Sequence, residues 1–265
     1  MEIGVKSGNI LQEPSDLCML GVYEDTPLPP EVADLLEPSD FAGKPKQTLL
    51  LYPRNAAAPR RLLLVGLGKR DEVNVESMRQ AGAIAVKEAQ KLHVPAVTVG
   101  VQRDSPLAPE LTAQSFAEGM ELGAYRYHVY RTTPDDEHSF VVENATVFTR
   151  RGNEQQVRDG IAIGQIIARG VTFARDLVNG PGYTMTPERL GEEAMSLGKR
   201  YGFTVTVLDE VQMADQGFGG ILAVGKGSAN APRFIVMEYG SASDGRPTIC
   251  LTGKGLTFDS GGLSL

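Results

Sequence analysis

The stretch GKGLTFDSGGLSL, residues 253–265, crowds a lysine, an aspartate and several glycines into one short run. Lys254 and Asp259 stand five residues apart across a strand-to-loop transition, where Gly255, Gly261 and Gly262 let the backbone bend sharply. An aspartate oxygen is a natural ligand for a divalent cation. A lysine amine ligates only when neutral, which requires a desolvated site and a nearby cation to stabilise that form. The run TICLTG before Lys254 reads as a strand, and α/β folds place ligands at the carboxyl ends of parallel strands. Taken alone, the plainer assignment is a solvated lysine and an aspartate hydrogen-bonded within its loop.

Other chemistry finds less support. The three histidines, His93, His128 and His138, form no H-E-x-x-H pair and read as surface or interdomain residues. No G-x-S-x-G elbow occurs, so a Ser-His-Asp hydrolase has no basis. Gly220, Gly225 and Lys226 match the G-x-x-x-x-G-K spacing of a phosphate loop, but Gly227 stands where the metal-binding Ser or Thr belongs. The stretch after it leads into a strand, so GGILAVGKGS is expected to be a strand-end turn. VGLGKRD at 65–71 lacks the third glycine of a dinucleotide loop.

The elements that must position these residues alternate along the chain. SDLCMLGVY, QTLLLYP and RRLLLVGLG are short apolar runs ended by Gly or Pro, as buried strands are. Residues 74–92 read as a helix capped by Asn74, with Met78, Ala81, Ala85, Ala89 and Leu92 on one face. AVTVGVQ then reads as a strand, ELTAQSFAEGMELGAYRY as a helix and SFVVENATVFT as a strand. Residues 150–182 form a long helical pattern, with Val157, Ile161, Ile167, Val171, Ala174 and Val178 near one face, stopped by Asn179-Gly180-Pro181-Gly182. A new helix starts at Thr186 (N-cap) and Pro187, with Leu190, Ala194 and Leu197 aligned. FTVTVLD, ILAVGKG, RFIVMEY and TICLTGKG are read as further strands. The expected architecture is two α/β domains with mixed, mostly parallel sheets flanked by helices. Their boundaries are residues 1–150, a connecting helix and turn at 151–182, and a second, incomplete domain at 183–265.

Composition narrows the function classes. A formal net charge of -7 and a pI near 5.1 give no global positive field for nucleic acid or an anionic membrane. Cys18 and Cys250 each lie in an apolar run and are expected to be buried, reduced thiols, as in a cytoplasmic chain. The start MEIGVKSGNILQEP lacks a secretory pattern, and no apolar run approaches the roughly 20 residues of a membrane span.

GKGLTFDSGGLSL resembles the metal-binding signature of the leucyl (cytosol) aminopeptidases, peptidase family M17. RDLVNGPGYTMTPERLGEEA is similar to that family's entry into its catalytic domain, and GILAVGKGS with PRFIVMEY to the segment between. DFAGKPKQTLLLYP and RRLLLVGLGKRDE fit its smaller, macro-like N-terminal α/β domain. One departure is Tyr183, where the NxPxN-type turn would carry an Asn.

The resemblance implies a two-metal exopeptidase that releases N-terminal residues, leucine among them, from peptides. Lys254 would ligate one of two Mn²⁺ or Zn²⁺ ions and Asp259 would bridge both, while Gly255, Ser260, Gly261 and Gly262 would shape the loop. The family's catalytic lysine would directly follow Leu265, with further metal carboxylates and an arginine downstream. One Lys and one Asp cannot complete sites that need about four to six ligands each, so the 265-residue chain is expected to be inactive alone. The implied assembly is a homo-hexamer in the cytoplasm, with peptide substrates and no membrane or nucleic-acid partner. The competing expectation is a non-catalytic module in which the N-terminal α/β domain binds a ligand, DNA or a partner protein.

Overall fold

The computed structural model describes the chain except residues 55–58, 102–104, 131, 133–139, 241–244, 246 and 259–265. It divides into two compact units, Met1–Ala174 and Arg175–Leu265.

The first unit is built on six strands: β1 (Glu2–Ser7), β2 (Cys18–Tyr23), β3 (Thr48–Leu51), β4 (Leu62–Gly68), β5 (Ala96–Val101) and β6 (Asn144–Thr149). They form one sheet in the order β1-β6-β5-β2-β4-β3. Every neighbouring pair is parallel except the edge pair β3–β4, which is antiparallel. β2 and β4 are buried along their whole length, which is why they read as unbroken apolar runs: both faces of a central parallel strand are covered. β1 was not anticipated. EIGVKS alternates half-buried and exposed residues on a sheet edge and carries charges at Glu2 and Lys6, so its apolar signal is weak.

Among the described residues four α-helices accompany this sheet: α1 (Pro30–Ala33), α2 (Val75–Lys91), α3 (Pro109–Ala124) and α4 (Glu154–Asn179), the last belonging to this unit as far as Ala174. The two-residue period of a strand sorts β2 between two cores. Met19 and Tyr23 join Leu63, Val65, Met78, Phe116 and Met120 on one side, while Cys18, Leu20 and Val22 join Leu62, Leu64, Val32 and Phe41 on the other. Burial of each such side chain stabilises the fold by about 1.5–3 kcal/mol.

α2 begins as its sequence requires. The Asn74 side chain accepts from the Glu76 and Ser77 backbone amides, and Ser77 completes a reciprocal capping box. At its end His93 adopts φ 53°, and the Val94 amide donates to the Ala89 carbonyl at 2.9 Å, closing the helix with a left-handed residue. His93 is thus an exposed cap, packed edge-on to Phe140 at 5.3 Å; His128 is also exposed, and His138 lies outside the described residues.

Glycine seams join the helices. A methyl group at Gly119 would overlap the Arg79 carbonyl oxygen, and one at Gly160 would overlap that of Glu110, so α2, α3 and α4 pack backbone against backbone. This corrects the expected buried face of α4. Val157 and Ile161 are buried as anticipated, but the contact continues through Gly160, Gly164 and Ala168. Ile167 is 40% exposed and Val178 83% exposed. A seam of small residues leaves no hydrophobic periodicity to read, so the larger apolar residues beside it suggested the wrong stripe.

The second unit contains α5 (Pro187–Tyr201), β7 (Thr204–Leu208), α6 (Glu210–Asp215), α7 (Gly219–Gly225) and β8 (Phe234–Glu238). α5 starts on the expected cap, with Thr186 Oγ1 accepting from the Arg189 amide at 3.2 Å, and ends on Gly202 at φ 75°. Gly191 and Gly198 let it lie close on Val207 and Val205 of β7. The Arg233 guanidinium ties the start of β8 to Glu210 at 3.0 Å and Glu188 at 3.7 Å.

Its described strands, β7 and β8, pair antiparallel. Two expectations for this unit are corrected. ILAVGKG is the helix α7 and its C-cap rather than a strand; a short apolar run fits either state, and here the Phe218 and Phe234 rings, 4.8 Å apart, pack beside the helix start. TICLTGKG carries no strand, and Cys250 is exposed rather than buried. β8 pairs with β7, and among the described residues no strand lies beside 247–251; without a partner an apolar run cannot satisfy its backbone as a strand.

Candidate metal centre

The terminal motif follows an exposed segment that forms neither helix nor strand. Residues 247–256 are exposed, Thr257 is half-buried, and Lys254 stands in solvent without a preceding strand. Gly255 lies against Leu190 of α5, whose Cδ1 would be 3.8 Å from a methyl group placed there. Asp259, Ser260, Gly261 and Gly262 lie outside the described residues.

The NGPG turn meets this segment. It stops α4 through the Gly180 amide, which donates to Asp176 O at 3.1 Å, and then folds back as the Thr184 and Met185 amides donate to Pro181 O at 2.9 and 2.8 Å. A methyl group at Gly182 would sit 2.5 Å from the Thr257 carbonyl oxygen, so the turn rests on the backbone two residues before Asp259. Tyr183 is 93% exposed and takes no part in that contact. Two of the stretches that carry the family resemblance therefore meet through Gly182 and Thr257, 75 residues apart in sequence. The sequence held a signal in the paired glycines of the turn, but nothing in it named Thr257 as their neighbour.

Lys254 and Asp259 do not by themselves make a metal site. Among the described residues no group of three or more His, Cys, Asp or Glu side chains could hold a metal ion.

The phosphate-loop spacing is resolved differently. Gly220 and Gly225 lie inside the short helix α7 and Lys226 caps it, so the spacing belongs to a helix and not to a phosphate loop between a strand and a helix. Cys18 is inert: burial pushes its thiol up to about 12, so it packs as a small hydrophobe in the core. Among the described residues no helix is long and apolar enough to cross a membrane.

The first unit is a mixed, mostly parallel α/β fold, and the second carries the motif GKGLTFDSGGLSL. Residues 12–134 match the N-terminal domain model of the cytosol aminopeptidase family, and residues 172–265 match that family's catalytic domain model. The chain belongs to the cytosol aminopeptidase family. It is 44% identical over 265 residues to a probable cytosol aminopeptidase of Roseiflexus castenholzii, covering 100% of this chain and 54% of that protein. A probable cytosol aminopeptidase of Geobacter sulfurreducens is 35% identical over 278 residues, with 55% of its length covered. The chain thus spans about half the length of these relatives. The bottromycin maturation enzyme BotP, solved in complex with Mn, superposes with a TM-score of 0.69 at 25% identity over 86% of this chain and 46% of BotP. A mutant of tomato leucine aminopeptidase shares the fold, with a TM-score of 0.77 at 24% identity over 89% of this chain and 50% of that one.

Proposed function

We propose that this chain supplies the N-terminal domain and the first part of the catalytic domain of a metal-dependent aminopeptidase. The observation that carries the proposal is the match of residues 172–265 to the family's catalytic domain, which includes Lys254 and Asp259. The domain division proposed with it assigns residues 1–150 to the N-terminal domain, 151–182 to the connector and 183–265 to the catalytic part. The substrates are peptides with a free N-terminus, leucine-type residues being released. The cofactor is a pair of divalent ions, Mn²⁺ or Zn²⁺; the manganese in the BotP complex is consistent with the first. Lys254 and Asp259 are assigned as ligands that act with donors from outside the described residues, and Gly255, Ser260, Gly261 and Gly262 as the residues that shape the loop. The working form is a cytoplasmic homo-hexamer.

The test uses the full-length protein with Mn²⁺ or Zn²⁺ and a leucyl amide substrate. Hydrolysis is expected, and Lys254→Ala and Asp259→Ala are each expected to abolish it while circular dichroism stays unchanged. Full activity in both variants overturns the assignment. Light scattering on the same sample reads the hexamer directly.

A further inference from the structure

Between Ile161 and Ala174 of α4 the only polar side chains are those of Gln165, Arg169 and Thr172. Two of them are engaged within the first unit. Gln165 Nε2 donates to the Met1 carbonyl and to Glu121 Oε1, both at 3.1 Å, and the Thr172 hydroxyl donates to the Ala168 carbonyl. The core side of the helix runs through Val157, Gly160, Ile161, Gly164 and Ala168. On the other side Ile163, Ile166 and Ile167 are exposed, Ile166 by 61%. A methyl group at Gly170, one turn further on, would meet nothing within 4 Å. A helix that is apolar all round belongs in an interior, and clustered exposed apolar side chains mark an interface.

The flanking charges determine what fits this face. Asp159 and Arg169 are both exposed. At a rise of about 1.5 Å per residue, Asp159 lies about 8 Å before the midpoint between Ile163 and Ile166, and Arg169 about 7 Å after it. Opposite charges set almost evenly about an apolar centre are self-complementary. An identical helix crossing antiparallel at that midpoint brings its Arg169 opposite Asp159 and its Asp159 opposite Arg169. Within one copy the two stand about 15 Å apart along the helix and cannot pair. The Asp159 carboxylate accepts from Gln155 Nε2 at 2.8 Å and keeps further acceptor capacity, while the neighbouring Arg158 donates to Gln155 Oε1 at 3.4 Å.

We propose that this face of α4 is an interface with a second copy of the chain, the two helices crossing antiparallel about a two-fold axis between Ile163 and Ile166. The isoleucines of each copy pack on those of the other, and an Asp159–Arg169 ion pair closes each end. A parallel crossing would set Asp159 against Asp159 and Arg169 against Arg169, so the charges also fix the direction.

The test is sedimentation velocity on the 265-residue chain over a range of concentrations. Self-association is expected with a Kd tighter than about 10 μM, and Ile166→Glu should weaken it at least about tenfold. Asp159→Arg and Arg169→Asp each set like charges opposite one another in the pair and should weaken it by about the same factor. Mixed one-to-one, these two single variants place opposite charges at both contacts, so they should bind each other more tightly than either binds itself. No contact inside one chain produces that recovery. Should Ile166→Glu unfold, the mixture of charge variants decides. A chain that stays monomeric at about 100 μM overturns the proposal, as does association that Ile166→Glu leaves unchanged or a mixture no tighter than its components. If the chain is monomeric and Ile166→Cys is shielded from a thiol reagent in the full-length protein, the face belongs to the remainder of the catalytic domain instead. None of these measurements reads hydrolysis, so their result stands apart from that of the aminopeptidase test.

Discussion

The Arg79 guanidinium and the Glu118 carboxylate meet between α2 and α3, with Nε and Nη2 both reaching Oε2, at 2.8 and 2.7 Å. The Glu118 side chain is 4% exposed, and its second oxygen accepts from Gln114 Nε2 at 2.8 Å. Arg79 also pairs with Glu76, one turn back on α2. The pair lies beside the seam where Gly119 packs on the Arg79 carbonyl, so it fixes the register of two helices that touch through glycine.

Breaking that pair from one side should cost more than removing it whole. Arg79→Met leaves a buried carboxylate with one neutral donor, and the expected loss is about 3–5 kcal/mol in urea unfolding. Adding Glu118→Leu should restore most of it, because the uncompensated charge is gone. Equal stability of Arg79→Met and the unsubstituted chain would show that the pair does not hold the helices.

The glycine seams predict opposite signs at two positions of one helix. Gly160→Ala would force its methyl into the Glu110 carbonyl and should destabilise by about 1–3 kcal/mol or more. Gly170→Ala meets nothing within 4 Å and should stabilise by up to about 1 kcal/mol through helix propensity alone. Thermal unfolding of the two variants checks both signs.

The two thiols should separate cleanly. Cys250 is exposed and should react with a disulfide reagent in the folded chain, whereas Cys18 should react only after unfolding. Burial raises the folded-state value of Cys18 to about 12, above its unfolded value. Its stabilising contribution is therefore complete below the unfolded value, near 8.5, and is lost as pH rises toward 12. Cys18→Ala should flatten that alkaline loss in pH-dependent unfolding. Two thiols reacting equally fast in the folded chain would contradict the structure.

At the acid end Glu76 contributes with the opposite slope. Hydrogen bonds from Gln80 and then Arg79 hold its carboxyl below the usual range. Its contribution is present above the unfolded carboxylate value, near 4.3, and is lost as pH falls through the lower folded value. Glu76→Gln should reduce the acid sensitivity of unfolding, measured between about pH 5 and 2.

Much of this molecule was legible before folding. β2, β4 and β5 announce themselves as short apolar runs, Asn74 and Thr186 as caps, and NGPG as a helix stop, because each rests on local chemistry: side-chain period, a cap oxygen, a glycine or proline backbone. The family was legible in the residue types and spacing of GKGLTFDSGGLSL, a property of the chain alone. Tertiary structure decided what depends on a neighbour distant in sequence. ILAVG is a helix and TICL is unpaired because an apolar run becomes a strand only when another strand satisfies its amides and carbonyls. The buried face of α4 follows Gly160 and Gly164, which carry no hydrophobic signal and matter only because the Glu110 and Gln114 carbonyls come to them. Likewise the contact of Gly182 with Thr257 arises from segments 75 residues apart, and only folding brings these together.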